Sequence, residues 1–410
     1  MTAVRALACV LAVAGCAPAT GPGASHRFGS SSVSPAELRK NTVSIYVETP
    51  DRIATLFEGI ATRMQARGKR ELAQFFASQT GGAFGSGFLV RKNGEMLVVT
   101  NRHVVDFADE AVLAVEGSDK TYPVEVVYAD RVYDLAILAF REKPPPGIPG
   151  LELSSDGVHD LETVVATGFP GLDGHPSYQA TRGQVSNERF AASSHGKTIT
   201  LIQHTAPIDP GSSGGPLTSE AGAVVGVNFI KFTGRDNAYL AIPAVAVAGV
   251  LDSAAESKKG RRSVPWLTQR LAESCGRLIG GLRKTDEPSV DVYDLITNDV
   301  IAERGMESLD AMAKTEKDAW NLFLENPTVA MRVAVAVRLW KESHGKEGLP
   351  VSCLALEQDP EAEAVRLQVK FERGNRDTFW RFEQGQWKLA AFDKMVGAPS
   401  GSKPKPKPKR

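Results

Sequence analysis

The 410-residue sequence has no excess of charge of either sign, few aromatic residues and no long hydrophobic run. Its 48 Lys and Arg balance its 48 Asp and Glu, so nothing points to nucleic acid as the main partner. The longest apolar segments, Ala6–Ala14 and Ala241–Leu251, are well short of the roughly 18 residues that a membrane-spanning helix needs. With 42% hydrophobic and 23% charged residues, the composition excludes collagen, a coiled coil and wholesale disorder. At about 150 residues per domain, we expect two or three soluble domains.

Cysteine is also scarce, with four residues in the chain. None lies in a Cys-x-x-Cys pair or at a Cys/His spacing typical of zinc, so the sequence predicts no metal site and no cofactor. Cys9 and Cys16 lie in the N-terminal segment, which leaves Cys275 and Cys353. These two form either one disulfide or two buried thiols, and the sequence favours neither.

The N-terminal segment is typical of a secretory signal, because one basic residue, an apolar run and a small residue precede Cys16. Val13–Cys16 resembles the bacterial lipobox, which implies that residues 1–15 are removed and that Cys16 carries lipid. The alternative is an ordinary signal peptide with an accidental cysteine. Residues 16–40 are rich in Gly, Pro and Ser and predict a flexible tether. We therefore expect a protein anchored by lipid on the periplasmic side of a bacterial membrane.

Residues 41–256 contain short apolar or β-branched segments separated by Gly, Pro, Asn and Asp, which is typical of an all-β barrel or sandwich. Ile53, Phe57 and Ile60 instead recur at helical spacing, so we predict a helical insertion over residues 51–80. The predicted strands are 42–48, 87–91, 97–100, 112–115, 124–128, 135–140, 163–168, 198–204, 224–228 and 238–242.

A polar and basic linker is predicted at 257–264, and a smaller α+β domain at 265–396. Apolar residues recur every three or four positions at Leu267, Leu271, Cys275, Leu278 and Leu282, which predicts a helix, and further helices are expected over 290–312 and 316–325. After Asn326-Pro327 the pattern changes to strands, with clear alternation from Val365 to Phe371 and a hairpin pairing 379–382 with 387–392.

This order of helices followed by a meander resembles the cone-shaped fold of the nuclear transport factor family, which implies a domain that holds a ligand or dimerises. A spacer or a partner-binding module is equally open. The tail over 397–410 alternates Lys and Pro and predicts an extended, solvated arm. Binding of this arm to anionic polymers or headgroups is the alternative.

Three motifs in the β-rich part carry chemistry: Thr100–Val105 around His103, Tyr133–Leu138 around Asp134, and Asp209–Leu217 around Ser213. A serine hydroxyl needs a base to become nucleophilic at neutral pH, and histidine can take and return its proton. A carboxylate orients the imidazole, and main-chain N–H groups stabilise the oxyanion. The glycines around Ser213 allow the tight turn that aims the N–H groups of Gly211 and Ser213 at one point.

These motifs resemble the trypsin-like, chymotrypsin-fold serine proteases of the HtrA/Deg branch, whose sequences read T-N-x-H-V-V, D-L-A-[IV]-L and N-P-G-x-S-G-G-P-L. The resemblance covers about residues 42–251 and implies two six-stranded β-barrels with a His103, Asp134 and Ser213 triad between them. The chain order His, Asp, Ser is that of this fold and differs from that of subtilisins and α/β-hydrolases. The helical insertion falls where Deg proteases carry a long regulatory loop.

Departures from the family refine these expectations. Ser212 stands where Deg proteases have Asn and trypsins have Asp, so activation by a new N-terminus pairing with that Asp is not expected. Pro207 stands at the base of the S1 pocket, and Val227 and Phe229 are assigned to its wall, so the pocket suits a small or medium apolar side chain. No PDZ domain is recognisable after residue 256.

The sequence thus predicts a mainly β serine endopeptidase, with protein or peptide substrates, a membrane anchor at Cys16 and no nucleic-acid partner. Its expected substrates are exposed or unfolded proteins of the bacterial envelope. The competing hypothesis is an inactive or gated protease-fold adaptor whose C-terminal domain binds a partner.

Overall fold

The computed structural model describes residues 33–106, 108, 111–172, 175–194, 197–231, 237–261, 263–286, 288, 290–315, 319, 327–345, 348–354 and 364–392. It divides into two compact units, and the division falls between Gly260 and Arg261. We call residues 2–260 the barrel unit and residues 261–410 the C-terminal unit. The signal segment 1–15, Cys16 and the tail 397–410 lie outside the described residues, as does nearly all of the predicted helix 316–325. Within the described part, no helix is long and apolar enough to cross a membrane.

The barrel unit begins with a closed six-stranded barrel in which the strands follow the order β1-β2-β3-β6-β5-β4. Asn93 and Gly94 link β2 to β3 as a two-residue turn with φ of 52° and 80°, the conformation that Asn-Gly favours in hairpins. The strands are β1 Thr42–Val47, β2 Ala83–Lys92, β3 Glu95–Asn101, β4 Ala111–Val115, β5 Thr121–Asp130 and β6 Leu135–Phe140.

A second closed barrel follows, in the order β10-β11-β14-β13-β12-β7, and confirms the predicted pair of six-stranded barrels. The strands β10 and β12 were not among those predicted. A two-stranded ribbon of β8 and β9 leaves this barrel between β7 and β10. The strands are β7 Thr163–Gly168, β8 Gly171–Leu172, β9 His175–Pro176, β10 Gln179–Ser194, β11 Lys197–His204, β12 Pro216–Ser219, β13 Val224–Lys231 and β14 Tyr239–Pro243.

One hydrophobic cluster joins the two barrels to the helix α5, Ala244–Gly260, which closes the unit. Each fully buried Leu or Val side chain in such a cluster contributes about 1.5–3 kcal/mol to stability. The barrels are therefore held together by a continuous core. Its members include Phe88, Val99 and Leu135 of the first barrel, Leu201, Val227 and Leu240 of the second, and Val247, Val250 and Leu251 of α5.

Two further helical segments stand before and after β1. The helix α1, Pro35–Asn41, begins with a capping box in which Ser34 and Glu37 satisfy each other's main-chain N–H groups, and Pro35 suits its first turn. The predicted tether 16–40 is therefore wrong over its last residues. The region of the helical insertion contains α2, Asp51–Ala66, and α3, Arg70–Ser78, which pack through Phe57 and Phe76 at a ring distance of 5.7 Å.

The predicted linker 257–264 is largely helical, because α5 continues to Gly260 and α6 begins at Val264. In the C-terminal unit, helices precede a four-stranded antiparallel sheet of order β15-β16-β17-β18. The prediction of strands directly after Pro327 is wrong, since an 18-residue helix, α9, begins there. The elements are α6 Val264–Leu282, α7 Val290–Asp294, α8 Asn298–Ala313, α9 Pro327–His344, β15 Pro350–Leu354, β16 Val365–Phe371, β17 Gly374–Glu383 and β18 Gln386–Phe392.

A disulfide between Cys275 and Cys353 ties α6 to the edge strand β15 and settles the alternative that the sequence left open. The hairpin of β17 and β18 was predicted, and its turn at Gln384-Gly385 has φ of 53° and 80°. Trp380 and Trp387 are fully buried in this unit. The likeness to the cone-shaped fold stays a prediction.

Reduction of this disulfide should lower the free energy of unfolding of the C-terminal unit by about 2–4 kcal/mol, because the bond joins residues 78 positions apart. Urea unfolding followed by tryptophan fluorescence, with and without dithiothreitol, measures the change. The signal reports this unit alone, because all five tryptophans follow residue 260: Trp266, Trp320, Trp340, Trp380 and Trp387. The double variant Cys275→Ser, Cys353→Ser should unfold at the lower urea concentration in both conditions. A wild-type protein whose urea midpoint is the same with and without dithiothreitol would contradict the prediction.

Candidate active site

His103 and Asp134 are brought together at one end of the first barrel. His103 lies in the short helix α4, Arg102–Val105, which begins directly after β3, and Asp134 immediately precedes β6. Neighbouring strands β3 and β6 place these ends side by side. The main-chain carbonyl of Asp134 accepts hydrogen bonds from the N–H of Arg102 at 2.8 Å and from the Asn101 side chain at 3.1 Å. Asp134 has φ of 55°, a left-handed conformation that Asp tolerates better than most residues.

Both carboxylate oxygens of Asp134 are used to orient His103. Oδ2 lies 2.5 Å from His103 Nδ1, and Oδ1 accepts the main-chain N–H of His103 at 3.1 Å. A carboxylate only accepts hydrogen bonds, so Nδ1 carries the proton and Nε2 is left as the basic nitrogen. Desolvation lowers the pKa of His103, but the charge of Asp134 and its hydrogen bond outweigh this and raise that pKa above its ordinary value of 6.5.

Ser213 lies in the loop that precedes β12 of the second barrel, and its hydroxyl donates to the main-chain carbonyl of Phe229 at 3.2 Å. The ring of Phe229 has its centroid 6.4 Å from that of His103, so Phe229 lies beside both residues. The hydroxyl is thus directed to a main-chain acceptor in this structure. The hydroxyl proton must turn away from this acceptor before it can pass to His103.

The loop before Ser213 contains the two main-chain N–H groups that were predicted for the oxyanion hole. The Pro210 carbonyl accepts a hydrogen bond from Gly171 N–H at 3.1 Å, and in a trans peptide the N–H of the next residue points the opposite way. The N–H of Gly211 is therefore directed away from Gly171. Neither it nor the N–H of Ser213 donates to another of the described residues. Gly211 has φ of 101°, and a Cβ there would lie 2.8 Å from the Phe169 carbonyl oxygen.

Sequence reasoning missed one residue at this site, Ser86 on β2. Its hydroxyl donates to the Gly211 carbonyl at 2.6 Å and accepts the N–H of Phe169 at 2.8 Å, and its own N–H donates to the Ser213 carbonyl at 2.9 Å. Its contact with a loop 125 positions away has no signal in a single sequence.

The three residues predicted for the S1 pocket differ in how exposed they are and in what they contact. Phe229 is half-buried beside His103. Pro207 is exposed, and its carbonyl accepts the hydroxyl of Thr181 at 2.6 Å. Val227 has 0% exposure within the core that joins the two barrels, so its side chain offers no surface to a substrate. Of the three, Phe229 is the residue that the structure brings to the candidate site.

No group of three His, Cys, Asp or Glu side chains able to hold a metal ion occurs among the described residues. His204 is fully buried within the second barrel. Its burial lowers the pKa of His204 to about 4, so this histidine is neutral near pH 7. It packs against Tyr239 within the second barrel.

The barrel unit contains the residues that match a known protein family. Residues 85–227 match the trypsin-like peptidase domain family. The Do-like HtrA serine protease of Lactobacillus helveticus is 34% identical over 198 residues, which cover 46% of this chain and 46% of that protein. The Do-like HtrA serine protease of Bacillus subtilis is 36% identical over 158 residues, covering 37% of this chain and 34% of that protein. Residues 85–227 thus match a trypsin-like peptidase domain, and the chain is similar to HtrA serine proteases over part of its length.

The chain spans less than half the length of these two curated relatives. Among solved structures, the active form of a protease from M. tuberculosis matches with a TM-score of 0.40 and 24% identity, covering 57% of this chain and 93% of that chain.

Reactivity of the candidate site should rise with pH through an apparent pKa above 6.5, because protonated His103 cannot accept the Ser213 proton. Asp134→Asn removes the charge that raises this pKa, so the rising limb of the pH–rate profile should move to lower pH. The rate should also fall by about 10⁴-fold. The second-order rate of fluorophosphonate labelling between pH 5 and 9 measures both effects. Asp156→Asn, in an exposed loop, should leave the limb in place. A limb unmoved in Asp134→Asn would contradict the assignment.

Gly211→Ala should lower the labelling rate by at least about 10²-fold, the usual cost of losing one oxyanion donor, because the added Cβ displaces the loop. Gly94→Ala is a matched control. Gly94 has φ of 80°, so alanine is strained there as well, but its Cβ meets nothing within 4 Å. Equal rates in the two variants at equal folded fractions would show that Gly211 has no role beyond its backbone conformation.

Proposed function

We propose that the trypsin-like domain of this protein is a serine endopeptidase that cleaves peptide bonds through Ser213, His103 and Asp134. The observation that carries the proposal is the pair of hydrogen bonds that His103 donates to Asp134, which fixes the tautomer and orientation that a general base requires. A histidine with a merely structural role does not need one carboxylate that accepts hydrogen bonds from both its ring and its main-chain N–H. The preformed turn at Gly211 supports the same reading, because it leaves two N–H groups free for an oxyanion.

The proposed reaction has two halves, formation of an acyl-enzyme and its hydrolysis. Ser213 Oγ attacks the scissile carbonyl carbon while its proton passes to His103 Nε2, and the carbonyl oxygen becomes an oxyanion held by the N–H groups of Gly211 and Ser213. Collapse breaks the C–N bond, and His103 gives its proton to the leaving amine, which yields an acyl-enzyme on Ser213. Water then attacks the ester with His103 as base, and the second product leaves with a free carboxylate.

The substrates we propose are exposed or unfolded segments of bacterial envelope proteins. Phe229 is the predicted S1 residue that lies at the candidate site, and it supplies no carboxylate, so P1 selection of Arg or Lys is not expected. The signal-like segment before Cys16 supports export and a lipid anchor on the periplasmic side of a membrane. The equal numbers of basic and acidic residues give no support to a nucleic-acid partner.

A gated protease or a silent adaptor is the second candidate, and one observation favours it. The Ser213 hydroxyl donates to the carbonyl of Phe229 rather than to His103. In this alternative the C-terminal unit binds the partner, and the barrel unit responds to it.

Fluorophosphonate should label the purified chain, and Ser213→Ala should abolish labelling completely, because the reagent reacts only with an activated serine. Ser219→Ala, on β12 of the same barrel, is the control and should be labelled at the wild-type rate. Labelling is read by in-gel fluorescence, and folding by circular dichroism. A folded wild type that stays unlabelled would reject the active endopeptidase and favour the adaptor.

A further inference from the structure

The two N–H groups that we assign to the oxyanion hole depend on the peptide planes around Gly211. Glycine populates positive and negative φ about equally, so this residue is where the loop can rotate at least cost. The carbonyl of Pro210, on one side, is held by Gly171 N–H. The carbonyl of Gly211, on the other side, is held by the hydroxyl of Ser86 at 2.6 Å. The two bonds together fix both peptide planes that flank Gly211.

The direction of the Ser86 bonds is unambiguous. A hydroxyl has one proton and accepts through its lone pairs. Ser86 Oγ accepts the N–H of Phe169 at 2.8 Å, and that N–H can only donate. The hydroxyl proton therefore goes to the carbonyl of Gly211, which can only accept. Ser86 has 0% exposure, so no water replaces either partner when the hydroxyl is lost.

Ser86 also bonds to the main chain of Ser213 itself. Its main-chain N–H donates to the Ser213 carbonyl at 2.9 Å, and its own carbonyl accepts the hydroxyl of Thr100 at 2.7 Å. One residue of the first barrel thus holds the carbonyls of both Gly211 and Ser213, which belong to the second barrel.

We propose that Ser86 is a positioning residue, whose hydroxyl keeps the Gly211–Ser212 peptide in the orientation that presents the N–H groups of Gly211 and Ser213 to the oxyanion. This inference rests on the proposed function. Ser86 touches no reacting atom and acts through the Gly211 carbonyl. Its loss should therefore weaken stabilisation of the tetrahedral intermediate and leave ground-state substrate binding almost unchanged.

Ser44 supplies a matched control. It lies directly opposite Ser86 in the pairing of β1 with β2, and it is also buried. Its hydroxyl donates to the Ala114 carbonyl within the first barrel at 3.5 Å and not to the serine loop. Ser44→Ala and Ser86→Ala thus delete the same group from neighbouring buried positions. A purely structural role would give both variants the same kinetic effect.

The first experiment compares fluorophosphonate labelling rates and cleavage of unfolded casein in wild type, Ser86→Ala, Ser86→Cys and Ser44→Ala, with melting temperatures for each. We expect a loss of about 10–100-fold in labelling rate and kcat for Ser86→Ala, with KM within about twofold. Ser86→Cys, which keeps a weak donor of similar size, should be intermediate, and Ser44→Ala should match wild type. Equal rates for Ser86→Ala and Ser44→Ala, or a loss confined to KM, would overturn the proposal.

A crystal structure of Ser86→Ala separates this proposal from the proposed function. We expect the Gly211–Ser212 peptide to rotate so that its carbonyl leaves its present position. An unchanged peptide would overturn the role of Ser86 whether or not the chain has activity. A wild type that fails to label would reject the endopeptidase, while the rotated peptide would still establish that Ser86 holds the loop.

Discussion

The proposed site depends on the contact between the two barrels, because the proposed base, His103, comes from one and the proposed nucleophile, Ser213, from the other. A misplacement of about 1 Å can cost 10²-fold in rate, so the barrels must keep a fixed relation. Two kinds of interaction do this. A continuous hydrophobic core runs from Leu135 through Val227 to Val250 and resists separation, but it has no directional preference. Directional control comes from buried hydrogen bonds across the contact, of which those made by Ser86 reach nearest to Ser213.

Asp134 combines an electrostatic role with local strain. Its φ of 55° is a conformation that costs a non-glycine residue on the order of 1 kcal/mol, and the bonds from Arg102 and Asn101 to its carbonyl hold it there. In return, both carboxylate oxygens face His103. The same charge raises the pKa of His103, which makes the imidazole a better base. Strain in the main chain of one residue is thus coupled to the basicity of another.

Patterns that are local in sequence predicted much of this fold, including most barrel strands and the three motifs that carry the triad residues. The change to strands was predicted directly after Asn326-Pro327, and the helix that begins at Pro327 was missed, although proline is well tolerated in the first turn of a helix. Exposure alternates along most of the strand β10, but its less exposed positions carry polar residues such as Gln179, Thr181 and Ser194, so the sequence shows no hydrophobic alternation there. The Cys275–Cys353 bond and the contacts of Ser86 are long-range pairings, which spacing in one sequence does not specify.

The remaining question of mechanism is whether the hydrogen bond from Ser213 to Phe229 is strong enough to silence the site. A typical hydrogen bond between uncharged groups contributes about 0.5–1.5 kcal/mol net. When the hydroxyl exchanges this bond for one to His103, the two free energies nearly balance. A free-energy difference of about 1.4 kcal/mol between the two orientations would correspond to a tenfold change in population. This bond alone therefore slows the reaction by at most about tenfold, through the fraction of molecules with Ser213 turned toward Phe229. A gate of larger effect would have to move His103 or the Gly211 loop, and both are held by several hydrogen bonds. The balance of energies thus favours an endopeptidase over a silent adaptor.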